Sequence, residues 1–193
     1  MAEAPPGVEA TPDETLVVLA REGDRPAREE LFRRHFDVAY RVAYRLLGRE
    51  HDARDAVQEA FLKAVVHLEG FDRRSGFRTW LLRIVTNAAL DLGRRRRRRP
   101  ALRLAEVKGD EAEVVVHDDP ALRLRRDDLR RILTAALDRL SPAIRTTFVL
   151  FAEAGLSYKE IAECQDLPIG TVMSRLHYAR QKLQSYLEGI DGL

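Results

Sequence analysis

Apolar residues recur at intervals of three and four along most of the chain, and the alternation typical of strands is nearly absent. Glycine and proline fall between the periodic segments rather than within them. The pattern therefore predicts an all-α protein. Four helices are expected in the first half, over about residues 13–21, 26–47, 51–68 and 77–95. Four more are expected in the second half, over about residues 121–139, 142–154, 158–165 and 168–188.

The apolar positions of each helix predict the side that faces a core. In the third helix they are Val57, Phe61, Ala64, Val65 and Leu68, and its other faces are expected to be polar. In the fourth they are Phe77, Leu81, Ile84, Ala88 and Leu92. In the last they are Val172, Leu176, Ala179, Leu183 and Leu187. The first four helices are expected to form one compact bundle.

From Arg96 to Pro120 there is no sustained apolar period, Pro100 and Pro120 bracket the stretch, and its charge changes from basic to acidic. We interpret residues 98–120 as a flexible linker between two small helical domains. Residues 1–24 form a tail and a short helix, residues 25–97 the first domain, and residues 121–193 the second.

The segment LSYKEIAECQDLPIGTVMSRLHYARQKL predicts a helix-turn-helix. Ser157 and Glu160 have the spacing of a capping box, and Gly155 ends the helix before it. Pro168 suits the first turn of the second helix. The face of that helix opposite its apolar stripe could enter a major groove. It carries Ser174, His177, Tyr178 and Gln181, flanked by Thr171, Met173, Arg175 and Arg180. The alternative is an ordinary solvated helix.

The chain has 193 residues, of which 45% are hydrophobic and 33% charged, as in a soluble globular protein. The net charge of +2 conceals an uneven distribution, since residues 94–99 are six arginines and residues 106–119 are rich in acids. This asymmetry suggests a polyanionic partner. Alternatively, the arginines are a solubilising helix end or a partner for the acidic linker.

Cys164 is the only cysteine, so an internal disulfide and a thiolate-rich metal site are both excluded within one chain. The N-terminus lacks the pattern of a signal peptide, and no apolar run is long enough to span a bilayer. We therefore expect a cytoplasmic protein without membrane insertion. The five histidines are widely separated, and no phosphate-cradling loop or activated nucleophile is evident. We expect no catalytic residue, metal or cofactor.

Two features of the first half suggest interfaces. Asp52, Asp55 and Glu59 share one helix face with Gln58 beside it, which indicates either a docking face for a basic partner or a solvated helix start. The segment FDRRSGFRTWLLRIVTN mixes aromatic rings, cations and an amide, as single-stranded DNA binders do. We expect core packing to use Phe77 and Trp80, which favours Phe71 and Asn87 as the DNA-contacting pair.

Together, DARDAVQEAF, FRTWLLRIVTNAALDLGRRRRR and the helix-turn-helix segment resemble the extracytoplasmic-function group of the primary bacterial sigma family. The resemblance covers about residues 25–97 and 122–187. It implies that the first domain docks on the clamp helices of the largest subunit of RNA polymerase. The docking residues would be Asp52, Asp55, Gln58 and Glu59.

The resemblance further implies that the first domain opens the minus-ten promoter element and holds a flipped base of the non-template strand. The matching positions are Lys63, Phe71, Arg73, Arg83, Asn87 and Arg94. The second domain would bind the minus-thirty-five element while touching the flap of the second polymerase subunit. Its reader positions are Thr171, Met173, Ser174, Arg175, His177 and Tyr178.

Many relatives carry arginine where Met173 or Tyr178 stands, which implies a weaker arginine-to-guanine readout here. The resemblance also implies that the linker threads the polymerase product channel and that an anti-sigma protein is a possible partner. Two other functions stay open from the residues alone. One is a conventional regulator that binds duplex DNA without polymerase, and the other is a DNA-processing enzyme with a terminal reader domain.

Overall fold

The computed structural model describes residues 11–72, 75–98, 129 and 131–189, and every regular element within them is a helix. The first four helices are α1 (Asp13–Arg21), α2 (Arg25–Leu47), α3 (Glu50–His67) and α4 (Phe77–Arg97). They are followed by α5 (131–138), α6 (Pro142–Ala152), α7 (Tyr158–Gln165) and α8 (Ile169–Glu188). The all-α prediction is confirmed. The predicted tail over 1–10 and nearly all of the predicted linker lie outside the described residues.

Local sequence signals set the bounds of α2. The side chain of Asp24 accepts a hydrogen bond from the Ala27 amide at 2.7 Å, and Pro26 lies in the first turn. Both features stabilise a helix start, where backbone amides lack partners within the helix. Gly48 ends α2, as predicted, with a φ of 73° that a side chain would disfavour.

Small residues allow α3 to approach its neighbours closely. Four of its alanines are completely buried, and they lie at three- and four-residue spacing on one face: Ala53, Ala56, Ala60 and Ala64. This face packs into the bundle of α1 to α4, whose core also holds Leu16, Leu31 and Leu81. Close backbone approach brings many atoms into contact, so an alanine stripe can anchor a helix as larger side chains do.

Two predicted core positions are wrong. Val65 is 38% exposed because the buried face of α3 follows the alanines and not the larger apolar residues. Leu187 is 43% exposed because α8 extends past the helices that cover it. Only Val172, Leu176 and Ala179 of α8 are fully buried, whereas Leu183 is half-buried.

The two halves of the chain share part of their core, which the sequence did not predict. Val38, Val42 and Leu82 of the first half are buried in one cluster with Leu150, Leu156, Ile161, Cys164, Val172 and Leu176 of the second. Within the described residues α2 contacts α6, and α4 contacts α7. The helix-turn-helix therefore packs directly on the first bundle.

Candidate nucleic-acid and partner interfaces

The exposed face of α8 contains the predicted groove-reading residues. Met173 and Tyr178 are 54% and 43% exposed, Ser174 and His177 are also exposed, and Thr171 and Arg175 are half-buried. Behind them, Val172, Leu176 and Ala179 have no exposed surface. A helix whose inner side is fully packed holds its outer side chains at a fixed position, as groove reading requires.

The turn that orients α8 depends on two local signals. The Ser157 hydroxyl accepts a hydrogen bond from the Glu160 amide, and the Glu160 carboxylate accepts one from the Ser157 amide at 2.8 Å, so the predicted capping box is confirmed. The Ser157 hydroxyl also donates to the Glu160 carboxylate at 2.6 Å, and this bond, together with the one from the Ser157 amide, holds the pKa of Glu160 below its ordinary value. After α7, Asp166 adopts a left-handed φ of 54°, a conformation that aspartate tolerates better than most residues.

Two cations of α8 are engaged by aromatic rings. The guanidinium of Arg180 lies 5.3 Å from the centre of the Phe151 ring and donates to the Tyr158 hydroxyl at 3.3 Å. The ammonium of Lys182 lies 5.7 Å from the centre of the Tyr178 ring. Arg180 therefore holds α8 against α6 and α7, although the sequence analysis expected it to flank the groove-reading residues.

On α4, Arg83 and Asn87 are both exposed and lie one turn apart on the same side. The neighbouring Thr86 is buried and donates a hydrogen bond to the Leu82 carbonyl at 2.8 Å. One cation and one amide thus project from a helix whose adjacent residues are fixed. That combination suits a strand with unpaired bases, since the cation can bind phosphate and the amide can bind a base edge.

The other predicted minus-ten residues are dispersed. Lys63 is exposed on α3 and pairs with Glu59 at 2.6 Å, and Arg94 pairs with Asp91 near the end of α4. Each pair lies within one helix and is largely exposed, so it costs little to replace either carboxylate with a phosphate. Arg73 lies outside the described residues.

The sequence analysis expected Phe71 to be more accessible to DNA than Phe77 and Trp80, and this expectation is wrong. Phe71 is only 5% exposed, and its ring lies 5.0 Å from that of Trp80 and 6.0 Å from that of Phe77, measured between centres. Trp80 is the least buried of the three. Phe71 lies in the chain reversal between α3 and α4, which places its ring in the core against Phe77 and Trp80 rather than on the surface. A stacking role for Phe71 would require it to leave this core.

The predicted docking residues of α3 have different environments. Asp55 and Gln58 are exposed, with Asp55 lying 3.4 Å from a ring nitrogen of His51. Asp52 is mostly buried and forms an ion pair with Arg96 of α4. Asp52 therefore links the two helices, and Asp55 with Gln58 forms the accessible part of the predicted docking face.

The same side of α3 also carries apolar residues that the sequence analysis missed. Leu62 and Val66 are 64% and 73% exposed, and they continue the helical spacing of Asp55 and Gln58. The sequence signal that could have revealed this face is the four-residue spacing of Leu62 and Val66, which lies outside the core stripe of α3. The expectation that these faces are polar is therefore wrong. A mixed acidic and apolar face is typical of protein interfaces, whose centres are depleted in charge.

Metal-binding clusters and membrane-spanning helices are both absent from the part of the chain that the structure describes. No group of three or more histidine, cysteine, aspartate or glutamate side chains in these ranges could hold a metal ion. No helix in them is long and apolar enough to cross a membrane.

Comparisons with known proteins agree with this geometry. Residues 31–99 match the family model for sigma-70 region 2, and residues 130–183 match the model for sigma-70 region 4. The extracytoplasmic-function (ECF) RNA polymerase sigma factor SigW of Bacillus subtilis is 34% identical over 180 residues, covering 88% of this chain and 94% of SigW. The ECF sigma factor SigE of Mycolicibacterium smegmatis is 40% identical over 163 residues, covering 84% of this chain and 62% of that longer protein.

Two solved structures have a similar fold. CnrH, in complex with the cytosolic domain of CnrY, has a TM-score of 0.72 and 28% identity, covering 93% of this chain and 99% of CnrH. The sigma factor RpoE from Bartonella quintana, in complex with the anti-sigma factor NepR, has a TM-score of 0.63 and 26% identity, covering 85% of this chain and 98% of RpoE. Both halves of the chain thus match sigma regions in sequence and in fold, and the chain belongs to the extracytoplasmic-function group of RNA polymerase sigma factors.

Proposed function

We propose that this sigma factor, which directs RNA polymerase to promoters, uses separate helices for polymerase docking, for capture of the melted strand and for major-groove recognition. α3 binds the clamp helices of core polymerase through Asp55, Gln58 and Glu59, with Leu62 and Val66 extending the contact. Asp52 positions this face by holding α3 to α4 through Arg96. The exposure of an acidic and apolar face over a completely buried alanine stripe is the observation that carries this step.

α4 captures the melted non-template strand. Arg83 binds the backbone and Asn87 binds the edge of an unpaired base, while Lys63, Arg94 and Arg73 add charge along its path. Phe71 supports this surface from within the core. Extruding a base costs a few kcal/mol, so these contacts must recover that free energy for opening to proceed.

α8 enters the major groove of the minus-thirty-five element. Met173, Ser174, His177 and Tyr178 face the bases, with Thr171 and Arg175 at the edge of the contact. Methionine and tyrosine favour contact with thymine methyl groups, whereas arginine would favour guanine. Polymerase supplies the chemistry, and we propose no catalytic activity for this chain. We also propose that it acts in the cytoplasm and is held by an anti-sigma protein.

Transcription in vitro with core polymerase and a promoter library tests this division. Asp55→Arg should abolish binding to core polymerase, because it places a cation on a face that selects a basic partner. Glu22→Arg, a charge reversal on the exposed end of α1, should leave binding unchanged. Equal polymerase binding by both variants would contradict docking through α3.

Asn87→Ala should bind core polymerase normally but fail to open promoters, as measured by permanganate reactivity of unpaired thymines. A template with a pre-formed bubble should restore most of its activity, because the cost of unpairing is removed. Gln184→Ala, which truncates an exposed amide on α8, is the control. Normal opening by Asn87→Ala would exclude the proposed role, and selective duplex binding without polymerase would favour a conventional regulator.

A further inference from the structure

The C-terminal end of α4 carries more positive charge than the functions described above use. Residues 94–98 are all arginines, and Arg95, Arg97 and Arg98 among them are exposed. Cations stabilise this end of a helix through its dipole, but arginines three or four residues apart repel one another. Arg98 has Arg94 and Arg95 at these spacings. A bound polyanion would relieve this repulsion.

Contacts with two other helices fix the backbone of this end. The side chains of Asp52 on α3 and Arg96 form an ion pair and are only 15% and 25% exposed. A β-carbon at Gly93 would lie 3.6 Å from Cδ2 of Leu47, so α4 also passes close to the end of α2. The exposed arginines on both sides of Arg96 therefore project from a helix that is held in place.

These arginines continue the face of α4 that we propose captures the melted strand. Arg94 follows Arg83 by 11 residues, and Arg98 follows Asn87 by the same interval. Three turns of an α-helix contain about 11 residues and span about 16 Å, so each pair lies along one side of the helix. DNA that is held at Asn87 and follows α4 reaches Arg98 after about five base pairs of about 3.4 Å each.

The composition of this segment favours double-stranded DNA over a single strand. Residues 93–98 are one glycine and five arginines, so the segment has no aromatic ring to stack on an unpaired base. Guanidinium groups bind phosphate whatever the base sequence. A duplex carries one phosphate charge per about 1.7 Å of its axis, whereas each strand carries one per about 3.4 Å. A cluster of closely spaced cations therefore gains more from the duplex.

The direction of the chain indicates which duplex this is. After α4 the sequence continues towards the second half, whose helix α8 we propose binds the minus-thirty-five element. That element lies upstream of the minus-ten element. The C-terminal end of α4 therefore points towards the duplex between the two elements.

We propose that Arg95, Arg97 and Arg98 form a phosphate anchor, which binds the double-stranded DNA between the two promoter elements, and that Asp52 is its positioning residue. The contact is independent of base sequence and weakens as salt rises. Its place upstream of the melted segment rests on the strand capture proposed above for α4. Its preference for double-stranded DNA does not.

The experiment compares two DNA probes that bind the complex of the full chain with core polymerase. One probe is the unpaired non-template strand of the minus-ten element alone, from a promoter that the library selects. The other adds one helical turn of upstream duplex, about 10 base pairs, which is too short to include the minus-thirty-five element. The dissociation constant of each probe is measured across a range of salt concentrations. The difference between the two salt slopes reports contacts with the duplex.

Replacing all three anchor residues with glutamine (Arg95→Gln, Arg97→Gln and Arg98→Gln) should reduce this slope difference. Each lost phosphate contact lowers the slope by about 0.9, so three contacts account for about 2.7. Over a fourfold rise in salt, wild-type affinity for the duplex probe should therefore fall about 40-fold more than that of the variant. The single-stranded probe should not distinguish the two proteins. Replacing the three residues with lysine, which keeps the charge, should retain most of the slope difference.

A matched control removes three arginines from the opposite end of the first bundle. Arg21→Gln, Arg25→Gln and Arg28→Gln lie where α1 meets the start of α2, at exposed or half-buried positions. Leu47, next to Gly93, is the last residue of α2, and this helix is about 33 Å long. The control variant should therefore show the wild-type slope difference.

Asp52 is tested through its ion pair with Arg96. Asp52→Asn should give a slope difference between those of wild type and the triple glutamine variant, because the end of α4 is no longer held to α3. Asp52→Glu, which keeps the charge, should stay near wild type. Weaker polymerase docking would change both probes equally and leave the slope difference unaltered. An unaltered difference in Asp52→Asn would therefore reject its positioning role.

Three results would overturn the phosphate anchor. An unchanged slope difference in the triple glutamine variant would leave the arginines as a solubilising helix end. An equal loss on both probes would assign them to the single strand, and an equal loss in the lysine variant would show that charge is not the cause. Far-UV circular dichroism checks helix content. Should the triple variant lose helix content, the three single substitutions, each expected to lower the slope by about 0.9, decide the matter.

Failure of the proposed strand capture gives a different result. Binding of the single-stranded probe by Asn87→Ala at wild-type affinity would reject the capture proposed for that residue. The slope difference between the two probes would still report the phosphate anchor, because the duplex is present in only one of them.

Discussion

Single residues link helices in this protein through arginine and carboxylate pairs. Glu30 of α2 accepts hydrogen bonds from Arg33 and Arg34, and Arg34 continues to Asp13 and to the Thr11 carbonyl at the start of α1. The two guanidinium groups lower the pKa of Glu30 to about 2 from an ordinary value of 4.5. The chain thus uses charged residues within the bundle, not only on interfaces.

This network predicts a pH dependence of stability. The folded-state pKa of Glu30 is lowered, so its contribution is complete above pH 4.5 and is lost as pH falls towards 2. Glu30→Gln should lower the melting temperature at pH 7 and flatten its dependence on pH over that window. Thermal denaturation followed by circular dichroism measures both, and Glu29→Gln, at an exposed neighbouring pair, should change neither.

A second residue-scale prediction concerns base preference. Met173 is 54% exposed on the face of α8 that we propose enters the major groove, and its side chain has no hydrogen-bond donor to offer a base. Met173→Arg should favour guanine at one position of the minus-thirty-five element by about 1–3 kcal/mol, through two bonds to one base. Sequencing of selected promoters reports the change. Leu187→Arg adds the same charge to the far end of α8, so an equal shift in that variant would reject a specific contact.

At the scale of elements, short signals set helix bounds while packing decides which face is buried. The capping box starts α7, and Gly48 ends α2, as the sequence indicated. The buried face of α3 could not be inferred in the same way, because alanine is compatible with both core and surface. Leu62 and Val66, apolar yet exposed, show that hydrophobicity alone does not locate the core when an interface is present.

The capping box gives an element-scale prediction. Ser157→Ala removes the hydroxyl that accepts from the Glu160 amide, and α7 has only 8 residues over which to offset the loss. Unfolding free energy should fall by about 1 kcal/mol, as measured by urea denaturation. Ser185→Ala, at an exposed position inside α8, should have little effect. An equal loss in both variants would show that capping is not the cause.

At the scale of the whole molecule, the shared cluster makes the two halves of the chain one packed unit. Leu82 is 1% exposed and lies where α4 meets the second half of the chain. Its side chain therefore packs against residues of both halves of the chain. Contact between the two halves therefore depends on a few apolar residues and on the ion pair of Glu153 with Arg45.

Leu82→Ala should lower the unfolding free energy by about 2–5 kcal/mol, the range for truncating a buried leucine. It should also accelerate labelling of the Cys164 thiol by a chromogenic disulfide, because the cavity lies in the cluster that buries this thiol. Leu62→Ala, at a position 64% exposed, should leave stability nearly unchanged. A stability loss without faster labelling would place the effect of Leu82 in the first bundle alone.

The sequence by itself determined the helices, the capping box, the exposed side of α8 and the family, because each depends on residues close together in the chain or on ordered motifs. The tertiary structure alone decided that Phe71 is buried, that Asp52 pairs with Arg96 and that Glu153 meets Arg45. Each of these contacts joins residues that are distant in the sequence, because a chain reversal, a helix pair or a domain boundary lies between them. Periodicity reports the side of a helix that is covered, and packing in space determines which residues cover it.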